Sequence, residues 1–217
     1  MINFSLFLNT RKRVELLSNL LESIVKTTHK LDEIELLIYI DDDDQESAHF
    51  LEAYTQIPSL KILSGERPQN ISSNLNKLAA TCKGDFLFVL NDDVKFLTPD
   101  WDSIILEQTA DIKNQIYLIV ASPAYPYPEF PILTKRAYEA LGFFFDEELP
   151  GHYADLRLWN VFNAIGRVKH VPVSLEHHRP HDEVTIENHR RNQGNGLEYA
   201  KGCVAKDILR LKQSEWF

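Results

Sequence analysis

Of 217 residues only two are cysteine, Cys82 and Cys203, and eight are glycine. Two isolated thiols with no CxxC pair exclude a disulfide framework and fit a reducing compartment. There is no HExxH and no Cys/His zinc spacing, so a metallohydrolase finds no support. GxGxxG, Walker and GxSxG motifs are missing too. With so few glycines a glycine-cradled phosphate site is not expected, and phosphate charge must be met by a metal ion and by Arg or Lys. No apolar run reaches the roughly 18–20 residues that span a bilayer. The opening Met1-Ile2-Asn3-Phe4 has neither the basic nor the apolar region of a secretory signal. The expectation is a cytoplasmic protein, soluble or peripheral. Cations are also in short supply: Lys+Arg is 23 against 32 Asp+Glu, a net charge of -9. A chain this acidic is not a generic binder of nucleic-acid backbone. The deficit is uneven, with 10 Lys/Arg against 7 Asp/Glu in residues 157–217 and 13 against 25 in residues 1–156.

What is present is an ordinary globular composition, 44% hydrophobic and 11% aromatic, enough for a core. Apolar runs at Phe4–Leu8, Ile34–Ile40, Leu60–Leu63, Asp85–Leu90 and Ile116–Ala121 read as strands. Helical spacing over Val14–Val25, Glu46–Tyr54, Ser72–Cys82 and Trp101–Gln108 separates them. This alternation predicts βαβ units and a mostly parallel sheet, with the carboxyl ends of its strands along one edge, where ligands bind. Residues 122–131 hold four prolines and read as an extended loop. Helices over Lys135–Leu141 and Asp155–Ala164, a strand over Val168–Leu175, a polar loop to Gly196 and a closing helix over Leu197–Leu211 complete the chain. A single α/β domain is expected, with a ligand-binding half (1–121), a second half (122–196) and a C-terminal helix (197–217).

Polar clusters fall at the expected strand ends. Asn91-Asp92-Asp93 is an oxygen-rich group suited to a hard divalent cation, although an Asp at such a place also caps turns. In Asp41 to Asp44 either Asp43 or Asp44 is placed to cap the following helix, leaving Asp41 and Asp42 to hydrogen-bond a base or ribose. Asp155 at a helix start reads by spacing as an N-cap, and a general base needs the same rigid footing. Of His177 and His178 one imidazole can complete a metal shell, since neighbours on a strand point to opposite faces.

The order of these pieces resembles family 2 glycosyltransferases with the GT-A fold. Phe4 to Arg11 looks like the family's first strand and its Thr-bearing turn. Ile38-Tyr39-Ile40-Asp41-Asp42 resembles its VDDGS segment, with acids and Gln45 replacing Gly-Ser. Asn76 stands where an asparagine usually precedes the GDYILFLDADD segment, which Gly84 to Asp93 matches with Asn91 in place of the first Asp. Thr98-Pro99-Asp100-Trp101 resembles the PDWL helix start. Phe130 to Gly142 with Phe145-Asp146-Glu147 resembles the acceptor-side segment. Tyr153-Ala154-Asp155-Leu156-Arg157-Leu158 resembles the ED.DL motif that carries the base, with Ala154 replacing Glu.

The resemblance implies sugar transfer from a nucleotide-sugar, UDP-linked by first expectation, to an acceptor hydroxyl on a glycan or similar molecule. Thr10, Arg11, Asp41, Asp42, Asn76, Asn91 and Asp92 would bind the donor. Asp93, with His177 or His178, would hold Mn2+ or Mg2+. Asp155 would be the general base of an inverting displacement. Asn91 and Ala154 motivate the alternative of an inert GT-A-like module that binds a sugar nucleotide or a partner without turnover. A nucleotidyltransferase is disfavoured, because Asn9-Thr10-Arg11-Lys12 is not a glycine-rich loop. The loop aromatics Tyr125, Tyr127 and Phe130 are candidates to stack on a sugar ring, and the basic Arg179, Arg190 and Arg191 to face an anion.

Overall fold

The computed structural model describes residues 1–67, 70–121, 128–149, 153–178 and 196–217, the side chains of 196–202 excepted. The chain runs β1 (Phe4–Thr10), α1 (Val14–Thr27), β2 (Ile34–Asp41), α2 (Gln45–Ala53), β3 (Leu60–Gly65), α3 (Ile71–Ala79), β4 (Phe86–Val89), β5 (Val94–Phe96) and α4 (Trp101–Gln108). It continues through β6 (Leu118–Ala121), β7 (Pro131–Thr134), α5 (Lys135–Leu141), α6 (Ala154–Ala164), β8 (Val168–Val171), β9 (Leu175–His177) and α7 (Gly196–Lys212).

Seven strands form one sheet in the order β3-β2-β1-β4-β7-β6-β8. β1 pairs in parallel with β2 and β4, β2 with β3, and β6 with β8. β7 runs antiparallel between β4 and β6, so its carboxyl end lies at the edge opposite to theirs, and the expectation that every strand end shares one edge holds for the others only. Both faces of the sheet are covered, which is why the central strands are apolar throughout rather than alternating. Phe4, Leu6, Leu8, Ile38, Phe86 and Phe88 pack on one face against α1, α2 and α4, where Trp101 is fully buried and stacks edge-on to Phe4. Phe7, Leu37, Tyr39, Leu87 and Val89 pack on the other against α3, α5, α6 and α7.

Two departures from the expected elements shape the site. The strand expected over Val168–Leu175 is broken after Val171, because Pro172 has no N–H to continue a ladder. Its second part, β9, leaves the sheet and pairs antiparallel with β5, placing Val94 opposite His177. The four-residue β7 was hidden at the end of the proline-rich segment. Its last residue, Thr134, accepts a hydrogen bond from Ala137 N and so caps α5, which ends in Gly142 at φ 79, a left-handed residue that glycine tolerates without strain. No helix among the described residues is long and apolar enough to cross a membrane.

Candidate active site

The turns after β1, β2 and β4 converge as the topology requires. Thr10 is the last residue of β1, and its Oγ1 donates to Asp92 Oδ2 at 2.9 Å. Arg13 Nη1 lies 3.2 Å from Asp92 Oδ1. Asp92 is therefore held at both oxygens while only 5% exposed. Burial pushes its carboxyl up to about 6, assisted by the neighbouring Asp93 and opposed by Arg13 and Thr10. Beside it, Arg11 donates to Asp41 Oδ2 at 3.0 Å and to both oxygens of Asp43, and Arg67 Nε approaches Asp41 at 3.7 Å. Burial raises the Asp41 pKa against the pull of Arg11, while the Arg11 hydrogen bond lowers that of the exposed Asp43 to about 2. Asp42 is exposed at the same turn.

Asp44 is the residue that caps α2, accepting from Ser47 N at 3.2 Å. Its other oxygen accepts from Lys12 N at 2.6 Å and holds Lys12 at φ 52, a left-handed conformation rare for a side chain of this kind. One aspartate thus fixes both turns. Arginines of its own half, Arg11, Arg13 and Arg67, offset part of the charge of this acidic cluster. Of these the sequence pattern singled out Arg11 alone. Arg13, two residues further along the same turn, and Arg67 carried no motif.

The turn after β4 sends Asn91 to solvent and Asp92 and Asp93 inward. Asp93 is 9% exposed. Its Oδ1 lies 3.2 Å from His177 Nε2 yet receives no aligned hydrogen bond. The β5–β9 pairing delivers this contact, and His178 N donates to Asp93 O at 2.9 Å to close it. The imidazole of His178 is exposed, so of the two histidines His177 is the one at the site and His178 acts through its main chain. His177 Nδ1 lies 3.1 Å from Glu129 Oε2, and Phe130 stands edge-on to the ring at 5.0 Å. Desolvation opposes the charge of His177, but the adjacent carboxylates of Asp93 and Glu129 outweigh it and raise its pKa. Glu129 went unnoticed in the sequence because nothing in a proline-rich run marks one carboxylate. Phe130 is buried and packs on the histidine rather than offering a face to a sugar. Tyr125, Tyr127, Arg179, Arg190 and Arg191 lie outside the described residues.

Asp155 is the second residue of α6, not its cap: Tyr153 occupies the cap without a side-chain hydrogen bond. The Asp155 carboxylate accepts from Leu156 N at 2.7 Å. Burial lifts its pKa to about 7, and the charge of Glu129 adds to the rise, over the opposing main-chain hydrogen bonds. Two residues on, the buried Arg157 anchors α6, donating to Asp207 of α7 at 2.8 Å and to Asp146. Asn76, expected at the donor, is spent elsewhere. Its Oδ1 accepts from Phe144 N and Phe145 N, and its Nδ2 donates to Phe145 O and Glu147 Oε1. All four hydrogen-bonding positions of the amide are thereby filled, so Asn76 clamps α3 to the turn before α6.

Acidic and basic side chains thus gather at the carboxyl edge of a mostly parallel sheet, and the desolvated Asp155 carboxyl feels the charge of Glu129, the partner of His177. The chain belongs to glycosyl transferase family 2, whose sequence profile matches residues 5–153. Solved structures agree on the fold. The mannosyltransferase PcManGT from Pyrobaculum calidifontis, in complex with GDP-Man and Mn2+, superimposes with a TM-score of 0.70 at 13% identity, over 97% of this chain and 73% of that one. TarS 1-349 of S. aureus gives 0.67 at 15% identity, over 96% and 71%. Its complex with UDP-GlcNAc gives 0.64 at 14%, over 96% and 72%. A search of curated proteins finds no match.

Proposed function

We propose that the protein transfers a sugar from a nucleoside-diphosphate sugar to an acceptor hydroxyl, with inversion, and that Asp155 is the general base. The observation that carries this reading is the Asp155 carboxyl, desolvated at a rigid helix start and lifted to about 7. A carboxylate with a pKa near the working pH accepts a proton far better than an ordinary one. In this reading Thr10, Arg11, Asp41 and Asp42 engage base and ribose, and Asp92 is the fixed wall between ribose and diphosphate. Asp155 takes the proton of the acceptor hydroxyl as its oxygen bonds to the anomeric carbon, and the nucleoside diphosphate departs from the opposite face.

The residues present fit a divalent cation. Asp93 Oδ1 is a buried acceptor with no hydrogen-bond partner, and His177 Nε2 is the adjacent nitrogen, a donor pair that suits Mn2+ or Mg2+. Among the described residues no third carboxylate, histidine or cysteine completes a cage, as expected of a cation whose remaining ligands are substrate phosphates and water. Such a cation would neutralise charge on the leaving diphosphate.

PcManGT is described with GDP-Man and TarS with UDP-GlcNAc, so both nucleotides are candidates here. A thermal-shift screen of UDP-, GDP- and dTDP-sugars with and without Mn2+ tests the reading, because a ligand that binds only the native state raises Tm. Metal-dependent stabilisation by one donor, with nucleoside-diphosphate release that is lost in Asp155→Asn, is the expected result. Stabilisation without release by the wild type favours the binding module motivated by Asn91 and Ala154. No shift with any donor refutes the donor site.

A further inference from the structure

Glu129 joins the two sides of the site, and its place in the fold gives it a defined task. It stands two residues before β7, whose ladder with β4 fixes Ile132 opposite Phe88, so its backbone is carried by the centre of the sheet. Its Oε2 lies 3.1 Å from His177 Nδ1, while His177 Nε2 lies 3.2 Å from Asp93 Oδ1. An imidazole that donates from Nδ1 presents the lone pair of Nε2 on its far side. Here that side faces the unpartnered oxygen of Asp93. The ring is held in this plane by Phe130 at its edge and by the β5–β9 ladder at its backbone.

We propose that Glu129 is a positioning residue for the cation: by engaging His177 Nδ1 it aims Nε2, together with Asp93 Oδ1, at one divalent ion. The inference rests on the metal-dependent reading above. Carboxylates behind a ligating histidine typically change metal affinity about 10–100-fold when removed.

The test is Mn2+ binding to the full chain, followed by the electron paramagnetic resonance of free Mn2+ with and without UDP or GDP. Glu129→Ala weakens Mn2+ binding about tenfold or more and leaves nucleotide affinity in EDTA unchanged. Glu129→Gln keeps binding within about threefold, because its amide oxygen still accepts from Nδ1–H. The double variant Glu129→Ala/His177→Ala binds Mn2+ no more weakly than His177→Ala, since Glu129 acts through the ring. Additive losses in the double variant, or wild-type Mn2+ affinity in Glu129→Ala, overturn the proposal. A wild type that binds no Mn2+ refutes the metal-dependent reading itself, before any variant is made. Should Glu129→Ala not fold, Glu129→Asp, with its carboxylate drawn back by one methylene, replaces it under the same expectations.

Discussion

Replacing Asp155 by Asn should inactivate the protein and stabilise it together. The carboxyl has an ordinary pKa of 3.8 and a native value of about 7. The folded state therefore binds this proton more tightly than the unfolded chain does. Stability from the group is complete below about pH 4 and is lost as pH rises through about 7. The rise from 3.8 to about 7 corresponds to at most about 4 kcal/mol, at about 1.4 kcal/mol per pH unit. Asn is neutral at every pH, keeps an oxygen for Leu156 N, and escapes this cost. The Asn variant should gain about 2 kcal/mol more over wild type at about pH 8 than at about pH 5.5. For a domain of this size that is a Tm difference of about 4–8 °C, at about 2–4 °C per kcal/mol. Thermal denaturation of both proteins at the two pH values measures it. Nucleoside-diphosphate release, measured beside it, should fall about 10²–10⁴-fold in the variant, and the wild-type rate should climb to a plateau above about pH 7. A variant whose Tm follows wild type at both pH values, or one that keeps its turnover, would refute a desolvated base at this position.

Other consequences follow from neighbouring contacts. Arg13→Met leaves the buried Asp92 carboxylate without its counter-charge, and urea denaturation at neutral pH should show a loss of about 3–5 kcal/mol; a loss below about 1 kcal/mol would show that Thr10 suffices. Asn76→Ala strips Phe144 N and Phe145 N of their acceptor and should cost about 1–3 kcal/mol with nucleotide affinity unchanged, whereas weakened nucleotide binding in a folded variant would restore Asn76 to the donor site. Gly84→Ala drives a Cβ to 2.6 Å from Ser5 N and 2.8 Å from Phe4 C. Main chain cannot swing aside as a side chain can, so β1 must shift, and a loss of about 1–3 kcal/mol should appear in chemical denaturation; an unchanged midpoint would contradict the close approach of this turn to β1.

The parallel half of the sheet was legible because β1, β2 and β4 are buried on both faces and so appear as plain apolar runs, and β2 and β4 end in conspicuous acids. Those acids then marked Asp41, Asp92 and Asp93 without further help. What could not be read were features that depend on partners distant in sequence. β7 is four residues long and carries no pattern of its own; only β4 and β6 on either side make it a strand. The break at Pro172 was visible as a proline, but the choice of β5 as the new partner of Leu175–His177 was not. The contacts of Asn76 could not be read from its motif, because its bonds reach forward about seventy residues to the 144–147 turn. Arg13 and Arg67, which offset part of the acidic charge, were overshadowed by a net charge counted over whole halves of the chain.

The two-stranded β5–β9 ribbon also sets the order in which the site comes into being. Its pairs join Val94 to His177 and Phe96 to Leu175, so it closes only after the intervening chain has been laid across the sheet, and it consists of three residues on each side. A ribbon so short has little stability of its own; β5 is anchored by the buried Val94 and Phe96, whereas β9 is only partly buried. The platform of β1 to β4 has longer ladders, seven pairs between β1 and β2 and four between β1 and β4, and can be complete while His177 is still away from Asp93. Substrate and cation would then meet a finished floor and an unfastened wall, and the energy of binding them would be drawn in part to close it.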